Sequence, residues 1–303
     1  MHKNLLTAIG GTPLVQVPFD SKAKIYAKLE YLNPGGSIKD RAALFMIEQA
    51  EKDGRLKPGG VIIEASSGNQ GIAIAMIGKV KGYKVIITTS EKISQEKLKT
   101  LRAFGAEVRV FPGVPNMMTP ESYHGKAVAL AKSTPGAFMP NQYMNPENAE
   151  AHYYGLGPEI WKQTGGQITH FFAAAGTGGT VSGAGKYLKE KNRAIKVIAF
   201  DAANSWYSTN GQPKPYKVEG MGLDFDTPVL YKQYIDEIIP VGDEESFEMV
   251  KTVSVNTGIC GGLSSGAVAY GVSKYAKKHM KEGDVGVMIF GDSGRAYLSK
   301  VDF

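Results

Sequence analysis

The chain has 303 residues, of which 43% are hydrophobic and 21% charged, the composition of a globular protein large enough for two domains. Its formal net charge is +6, but no dense block of Lys and Arg interleaves with aromatic residues, which argues against nucleic acid as a partner. The one cysteine excludes an internal disulfide and a thiolate zinc site, the five histidines lack metal-binding spacing, and no segment offers the roughly 20 apolar residues of a membrane span. We therefore expect a cytoplasmic protein that binds neither a metal nor a membrane.

Short apolar runs alternate with helical patterns along the whole chain. The first half contains predicted strands at residues 25–29, 61–64, 84–88 and 108–111 and predicted helices at 40–53, 71–79, 94–104, 123–132 and 147–163. The second half contains strands at 168–174, 196–200 and 285–290 and helices at 180–190, 246–255 and 265–278. Residues 204–217 read as an irregular insertion, a kind of loop that is usually functional or mobile.

The predicted strands are apolar without alternation, which is typical of parallel strands covered by helices on both faces. This pattern predicts an α/β fold with open parallel sheets. We divide the chain into a smaller, mobile α/β domain, residues 39–145, and a larger α/β domain made of residues 1–38 and 146–303.

Lys39 stands where a glycine-containing turn, residues 35–38, gives way to a predicted helix. The helix dipole disfavours a cation in the first turn, so the position slightly favours a chemical role. A lysine amine held there is a nucleophile that can form a Schiff base. The alternative is a surface lysine without a function, and the spacing alone does not decide between the two.

Two loops that connect a strand to a helix are candidates for anion binding, because backbone N–H groups at a helix N-terminus bind phosphate or carboxylate. Residues 66–71 read Ser-Ser-Gly-Asn-Gln-Gly, and residues 176–180 read Gly-Thr-Gly-Gly-Thr. The alternative for the first loop is an ordinary capped helix. The alternative for the second is a dinucleotide site with Asp201 at the end of the next strand, but Val181 replaces the third glycine of that fingerprint.

Ser293 follows the last predicted strand, at the edge of the sheet where ligands of parallel α/β folds bind. The alternative for this serine is a helix N-cap. Cys260 lies among glycines and is interpreted as a small buried residue, not as a nucleophile. Taken together, Lys39 and the two glycine-rich loops are what an enzyme needs to hold pyridoxal phosphate (PLP) and bind its phosphate.

The chain resembles the β-family of PLP enzymes (fold type II, tryptophan synthase β-like) and, within it, the cysteine synthase and cystathionine β-synthase group. The matching motifs follow the family order: "IGGTPLV" from residue 9, "NPGGSIKDR" from 33, "SSGNQG" from 66, "QYMNP" from 142, "GTGGT" from 176, "VEGMG" from 218, "GGLSSGA" from 261 and "DSGRAYLSK" from 292. The resemblance implies two open parallel-sheet α/β domains, of which the larger binds PLP.

The resemblance also implies a role for each matching residue. Lys39 forms the Schiff base with PLP and later moves the substrate Cα proton, Asn69 hydrogen-bonds the ring oxygen, and Ser293 faces the pyridine nitrogen. The cofactor phosphate is bound by Gly176, Thr177, Gly178, Gly179 and Thr180. The substrate is bound by Ser66, Ser67, Gly68, Gln70, Gln142, Gly220 and Asp224.

The implied reaction is β-elimination or β-replacement on O-acetylserine, serine or cysteine, through an α-aminoacrylate. The products are cysteine or a thioether such as cystathionine or lanthionine, with release of hydrogen sulfide from cysteine as a variant. A neutral serine at the pyridine nitrogen does not enforce a positive ring, which favours loss of a β-substituent over transamination. The implied partners are an amino acid, a thiol or sulfide, and a second copy of the chain in a homodimer.

Other functions stay open on the sequence. A serine/threonine dehydratase or a diaminopropionate synthase is the alternative within the family, and a non-catalytic partner-binding protein is the alternative outside enzymes. Ser66 and Gln70 replace threonines that many relatives carry, which affects the substrate grip. Asp224, in a segment similar to the cystathionine β-synthase branch, is a hypothetical activator of an incoming thiol or water, against a solvated loop carboxylate as the alternative. We expect neither haem nor nucleotide regulation, because the chain lacks the corresponding extensions of some relatives.

Overall fold

The computed structural model describes residues 2–114 and 117–301. The α-helices are α1 (Lys39–Asp53), α2 (Asn69–Lys81), α3 (Gln95–Ala103), α4 (Tyr123–Ser133), α5 (Glu147–Ala151), α6 (Gly157–Gln163), α7 (Gly179–Lys191), α8 (Asp243–Thr257) and α9 (Leu263–His279). The strands are β1 (Leu14–Gln16), β2 (Lys24–Leu29), β3 (Val61–Ala65), β4 (Lys84–Ser90), β5 (Glu107–Phe111), β6 (Ala137–Phe138), β7 (His170–Ala174), β8 (Lys196–Ala202), β9 (Glu237–Val241) and β10 (Val285–Phe290). A π-helical turn occupies His152–Leu156, and 3₁₀ turns occupy Leu5–Ala8, Glu30–Leu32, Lys232–Tyr234 and Gly294–Tyr297.

The chain divides into two compact units, each with its own sheet. The first unit comprises Met1–Ile9 and Asn33–Glu147, and the second comprises Gly10–Leu32 and Asn148–Phe303. These bounds differ from the expected division at the ends. The N-terminal residues group with the smaller unit because Leu6 is buried in that unit's core. The sequence around Leu6 does not predict this long-range contact.

The sheet of the first unit has four parallel strands in the order β5-β4-β3-β6. The central strand β3 is buried from Ile62 to Ala65, and it is paired along its whole length with β4. On the other side, β6 has two residues and pairs only with Val61 and Ile62. In the part of the chain that the structure describes, the C-terminal half of β3 therefore has no neighbouring strand on the β6 side.

The sheet of the second unit has six strands in the order β1-β2-β10-β7-β8-β9. All pairs are parallel except β1 with β2, which is antiparallel. The sequence pattern does not predict β1, β6 or β9, because these edge strands are short or contain Pro240. An edge strand tolerates proline because one of its sides needs no N–H donor.

The α/β fold with two parallel-sheet domains is confirmed. The helix predicted over residues 147–163 is interrupted, since the π-helical turn separates α5 from α6. In this turn the Gly157 N–H bonds to His152 O, one residue further back than in an α-helix. Pro158 follows directly and has no N–H to continue the α-helical bonds, which explains the irregularity.

Candidate active site

Lys39 is the first residue of α1, one residue before the predicted start of the helix, and its side chain is half-buried. Its backbone N–H donates to Ser37 Oγ at 3.2 Å. The buried Asp40 accepts a hydrogen bond from Gly35 N at 2.5 Å, and a side chain on Gly35 would collide with this carboxylate. Asp40 also offsets the cation that stands at the positive end of the helix. The turn therefore holds the lysine backbone in a defined place.

The loop at residues 66–71 lies in the first unit between β3 and α2. Ser66 Oγ accepts hydrogen bonds from Gly68 N at 3.2 Å and from Gly71 N at 3.0 Å. One hydroxyl group thus folds the loop and takes two of the backbone donors that an anion site was expected to offer. Asn69 is the first residue of α2, in the position predicted for a cofactor contact.

The Gln70 side chain is buried in this loop. It is 2% exposed, and neither its amide nitrogen nor its amide oxygen has a hydrogen-bond partner among the described residues. A buried amide without partners costs free energy, so a ligand or water is expected to bind it. This observation favours the substrate-binding role predicted for Gln70.

Gln142, predicted to bind the substrate carboxylate, is buried in the same unit. The preceding residue, Asn141, has a φ of +52°, a left-handed conformation that residues other than glycine seldom adopt. Asn141 N donates to Glu64 Oε2 at 2.8 Å. Glu64 is wholly buried, and burial raises its pKa from 4.5 to about 8, although the N–H groups of Ala65 and Asn141 act in the opposite direction.

This raised pKa makes the stability of the protein depend on pH. Between pH 4.5 and about 8 the folded state keeps a proton on Glu64 that the unfolded chain has lost, so the free energy of unfolding falls as pH rises. The slope from this group is at most about 1.4 kcal/mol per pH unit. We expect Glu64→Gln to lose less stability than wild type between about pH 5.5 and about pH 8.5 in urea unfolding. Glu107→Gln, at an exposed carboxylate whose pKa is lowered by Arg109, should keep the wild-type slope; equal slopes for all three proteins would contradict the prediction.

The loop at residues 176–180 lies in the second unit between β7 and α7. Gly178 has a φ of +88°, and a side chain there would come within 2.8 Å of Leu230. A side chain on Gly179 would collide with Asn148. The loop is therefore a surface of backbone groups that only glycine can build, at the N-terminus of a 13-residue helix, and this arrangement suits a phosphate.

Asn148 and His152, which are not among the predicted site residues, contact the hydroxyl groups of this loop. Asn148 Nδ2 donates to Thr177 Oγ1 at 2.9 Å, and His152 Nε2 lies 3.3 Å from Thr180 Oγ1. Both side chains are buried, and they stand four residues apart at the start of the segment that contains the π-helical turn. Two polar residues four positions apart face the same side of a helix, so the sequence could have indicated a shared contact. Spacing rules for metal ligands do not detect such a pair because it contains only one histidine.

Ser293 caps the 3₁₀ turn Gly294–Tyr297, because its Oγ accepts a hydrogen bond from Arg295 N at 3.2 Å. The N-cap alternative for this serine is therefore realised. A cap uses only an oxygen lone pair, so the hydroxyl proton can still donate to a ligand.

A second serine, Ser264, lies near the loop at residues 176–180 in the same unit. It is buried in the first turn of α9, and a side chain on Gly220 would come within 3.2 Å of its Oγ. A side chain on Gly176 would in turn come within 2.7 Å of Gly220 O. Ser264, Gly220 and Gly176 thus lie close together in the second unit. The motif "GGLSSGA" contains Ser264, but the sequence does not indicate which serine faces a ligand.

Asp224 stands at the surface of the second unit, in a segment joined to the end of β7 by the hydrogen bond from Gly222 N to Ala175 O at 2.7 Å. Partial burial raises the pKa of Asp224 above its ordinary value, although a hydrogen bond with the Tyr216 side chain opposes the shift. A carboxylate with a raised pKa is a better general base near neutral pH than an ordinary one.

Asp201, which a dinucleotide site would use for a ribose, has another function in this fold. Its buried carboxylate accepts hydrogen bonds from Ser205 Oγ and, at 2.8 Å, from Ser208 Oγ. The carboxylate therefore holds the start of the irregular insertion at residues 204–217. Within residues 2–114 and 117–301, no cluster of His, Cys, Asp and Glu has the form of a metal site, and no helix has the length and apolarity needed to cross a bilayer.

Comparison with known proteins places these features in a family. The family described as "Pyridoxal-phosphate dependent enzyme" matches residues 5–292. Cystathionine beta-synthase of Saccharomyces cerevisiae is 43% identical over 318 residues, which cover 98% of this chain and 62% of the yeast protein. Cysteine synthase of Staphylococcus aureus is 42% identical over 300 residues, which cover 98% of this chain and 95% of the staphylococcal protein. A solved hydrogen sulfide-producing enzyme from Fusobacterium nucleatum has a TM-score of 0.93 and 38% identity, and the match covers 98% of each chain.

Proposed function

Because the chain belongs to the family of pyridoxal-phosphate dependent enzymes, we propose that it catalyses β-elimination and β-replacement on O-acetylserine, serine or cysteine. The products are cysteine or a thioether such as cystathionine or lanthionine, with hydrogen sulfide released when cysteine is the donor. The PLP dependence expected from the motifs is confirmed by the family match. The named relatives, a cysteine synthase and a cystathionine beta-synthase that both align with 98% of this chain, support the reaction class.

The residues present fit the cofactor. The backbone cradle at residues 176–180 suits its phosphate, and the half-buried Lys39 supplies the amine that attaches it covalently. Asn69, at the start of α2, is the proposed donor to the ring oxygen. When bound, PLP supplies an electron sink that acidifies the substrate Cα–H. The single observation that carries the proposal is this phosphate cradle, which only its glycines can form.

The chain's own groups then divide the remaining tasks. Lys39 Nζ accepts the Cα proton as a general base. The residues proposed to bind the substrate carboxylate are Ser66, Ser67, Gly68, Gln70 and Gln142. The Gln70 amide supports this assignment because it has no hydrogen-bond partner among the described residues, whereas the Gly68 N–H already bonds to Ser66 Oγ. Gln70 is longer than the threonine of many relatives and carries an amide in place of a hydroxyl group, so its contact with a carboxylate should differ from theirs.

We expect a serine hydroxyl group to face the pyridine nitrogen, and two serines are candidates for this contact. Ser293 follows from the motif, whereas the contacts favour Ser264, which is buried beside Gly220. If Ser264 is the partner, Ser264→Ala should lower kcat about 10-fold or more and shift the cofactor absorbance, since a buried hydrogen bond is lost. Ser293→Ala should cost only about 1 kcal/mol of stability through the lost cap. The opposite pattern would assign the role to Ser293.

Asp224 is proposed to activate the incoming thiol or water. Asp224→Asn should lower the rate of thioether formation by about 10²-fold or more at neutral pH, and the loss should shrink at higher pH, where thiols ionise without help. Loss of the donor's leaving group should continue, so elimination products should rise relative to replacement products. Asp226→Asn is the control, because Asp226 is an exposed neighbour that contacts Tyr207 and Lys232. Unchanged product ratios in Asp224→Asn would end the hypothesis.

The function itself is tested by a mass-spectrometric product screen. Each donor is paired with sulfide, homocysteine, cysteine or water, and the incorporation of the acceptor is measured. Cysteine formed from sulfide, or a thioether that contains the sulfur of homocysteine or cysteine, supports β-replacement. Formation of only 2-oxo acids from serine or threonine would indicate a dehydratase, incorporation of an amine would indicate a diaminopropionate synthase, and absence of any turnover would favour a non-catalytic binding protein.

We also propose that the enzyme works in the cytoplasm as a homodimer. The single cysteine, Cys260, is consistent with a reducing compartment, and the dimer follows from the family resemblance. Light scattering of the purified protein measures the assembly directly, and a monomeric mass would contradict the dimer.

A further inference from the structure

Glu64 occupies the place in the first unit's sheet where a strand is missing. Because β6 ends at Phe138, the β3 residues after Ile62 pair with no strand on that side among the described residues. The Glu64 side chain supplies hydrogen-bond acceptors instead: Oε1 accepts from Ala65 N at 3.0 Å, and Oε2 accepts from Asn141 N at 2.8 Å. The carboxylate thus takes over the hydrogen bonds that a longer β6 would have made.

The choice of side chain is specific. Each of the two backbone N–H groups bonds to a different oxygen of Glu64, which is 0% exposed. Both oxygens of a carboxyl group keep lone pairs that can accept hydrogen bonds, whether the group is ionised or protonated, whereas a glutamine would turn an NH₂ group toward one of the two donors. Burying a carboxylate is costly, and a side chain chosen only to fill this space would be apolar. The cost indicates that the connection between the two backbone segments matters.

The two segments that Glu64 connects both carry residues assigned to the substrate. On one side, Ala65 is followed by Ser66, whose hydroxyl folds the loop at residues 66–71. On the other side, Asn141 is followed by Gln142. The left-handed Asn141 is held by three bonds, since its O accepts from Met144 N and from Asn145 N, each at 3.0 Å, in addition to its own bond to Glu64.

We propose that Glu64 is a positioning residue that sets the distance between the loop at residues 66–71 and Gln142, and thereby the affinity for the substrate carboxylate. This inference rests on the proposed function, in which those two segments bind that carboxylate. Glu64 acts through the backbone and does not itself contact the substrate. Its removal should therefore weaken the binding of ligands that carry a carboxylate and spare those that do not.

The experiment compares PLP-loaded full-length wild type, Glu64→Gln and the control Glu107→Gln at a pH near 8.5, where the buried carboxyl group is ionised. Glu107 is an exposed glutamate of the same sheet, paired with Lys84 and Arg109. The two ligands are L-serine and serinamide, in which a neutral amide replaces the carboxylate. Dissociation constants are measured by cofactor absorbance and by calorimetry, and thermal unfolding reports the fold.

For Glu64→Gln we expect the dissociation constant of L-serine to rise about 10-fold or more, which corresponds to the loss of one hydrogen bond to a charged group. The constant for serinamide should change less than about 2-fold, and Glu107→Gln should match wild type. Glu64→Asp keeps the charge but shortens the reach, and it gives the same comparison with a smaller loss if Glu64→Gln does not fold.

Equal weakening of both ligands, or an unchanged affinity for L-serine, would overturn the inference. A wild type that binds L-serine and serinamide equally would remove the carboxylate assignment as well. If only the positioning role of Glu64 is wrong, wild type still prefers L-serine and the product screen still supports the proposed function. The two proposals can therefore be contradicted separately.

Discussion

Replacement of Lys39 by alanine should lower kcat by at least about 10³-fold while the protein stays folded. The expected loss is large because this one side chain both attaches the cofactor and accepts the Cα proton. The fold should persist, since the turn before α1 depends on Gly35, Ser37 and Asp40, and the half-buried Lys39 side chain is not part of either hydrophobic core. Steady-state kinetics and thermal unfolding check the two parts of the prediction.

Lys52 provides the matched control for this experiment. It is an exposed lysine in the last turn of the same helix, so Lys52→Ala tests the effect of removing a lysine from α1 without touching the site. Borohydride reduction followed by peptide mapping should label Lys39 in wild type and in Lys52→Ala. Substantial turnover by Lys39→Ala, or a label on another lysine, would remove the basis of the proposed chemistry.

Gly179→Ala should weaken PLP binding by about 10- to 100-fold. An added Cβ would collide with the Asn148 side chain, and that side chain also donates to Thr177 Oγ1 at 2.9 Å. The substitution therefore both displaces the loop backbone and disturbs the hydrogen bond that holds a loop hydroxyl. Overpacking of a filled site costs about 1–3 kcal/mol, and each 1.4 kcal/mol corresponds to a factor of ten in the dissociation constant. Equilibrium dialysis of PLP measures this constant.

The control is Gly113→Ala in the first unit. A Cβ there would meet only the flexible end of Lys92, 3.1 Å away at its Cε, so the lysine can move aside. PLP affinity and thermal stability of Gly113→Ala should equal those of wild type. If Gly179→Ala also keeps wild-type affinity, the loop at residues 176–180 does not form the phosphate site in the proposed way.

Elements that depend on local interactions are predicted correctly from the sequence, whereas elements that depend on contacts between distant residues are not. The helices at residues 40–53 and 123–132 agree within one residue with α1 and α4, because periodicity and capping are local properties of the chain. The edge strands β1 and β6 are missing from the expectation. They have three and two residues and form only because a neighbouring strand offers hydrogen bonds.

The same contrast holds within the candidate site. The glycine-rich loops and Lys39 are visible in the sequence because their function requires particular residues in adjacent positions. Asn148 and His152 cannot be identified in this way, because their partners are Thr177 and Thr180, which lie 29 and 28 residues away in the sequence. Ser264 and Ser293 show the limit most clearly: both lie in matching motifs, and only their contacts distinguish a buried hydroxyl from a cap.

The order of the helices, of the glycine-rich turns and of the strands other than β1, β6 and β9 can be read from the amino-acid sequence, and with it the family and the cofactor. The reason is that each turn must supply its own backbone conformation and its own hydrogen-bond donors. The hydrogen bonds that hold these turns in place are seen only in the tertiary structure. Glu64 accepts a hydrogen bond from a residue 77 positions away, and such a bond exists only after the chain has brought the two segments together. Burial of a carboxylate is likewise a property of the packed unit, because it depends on which distant apolar groups exclude water from it.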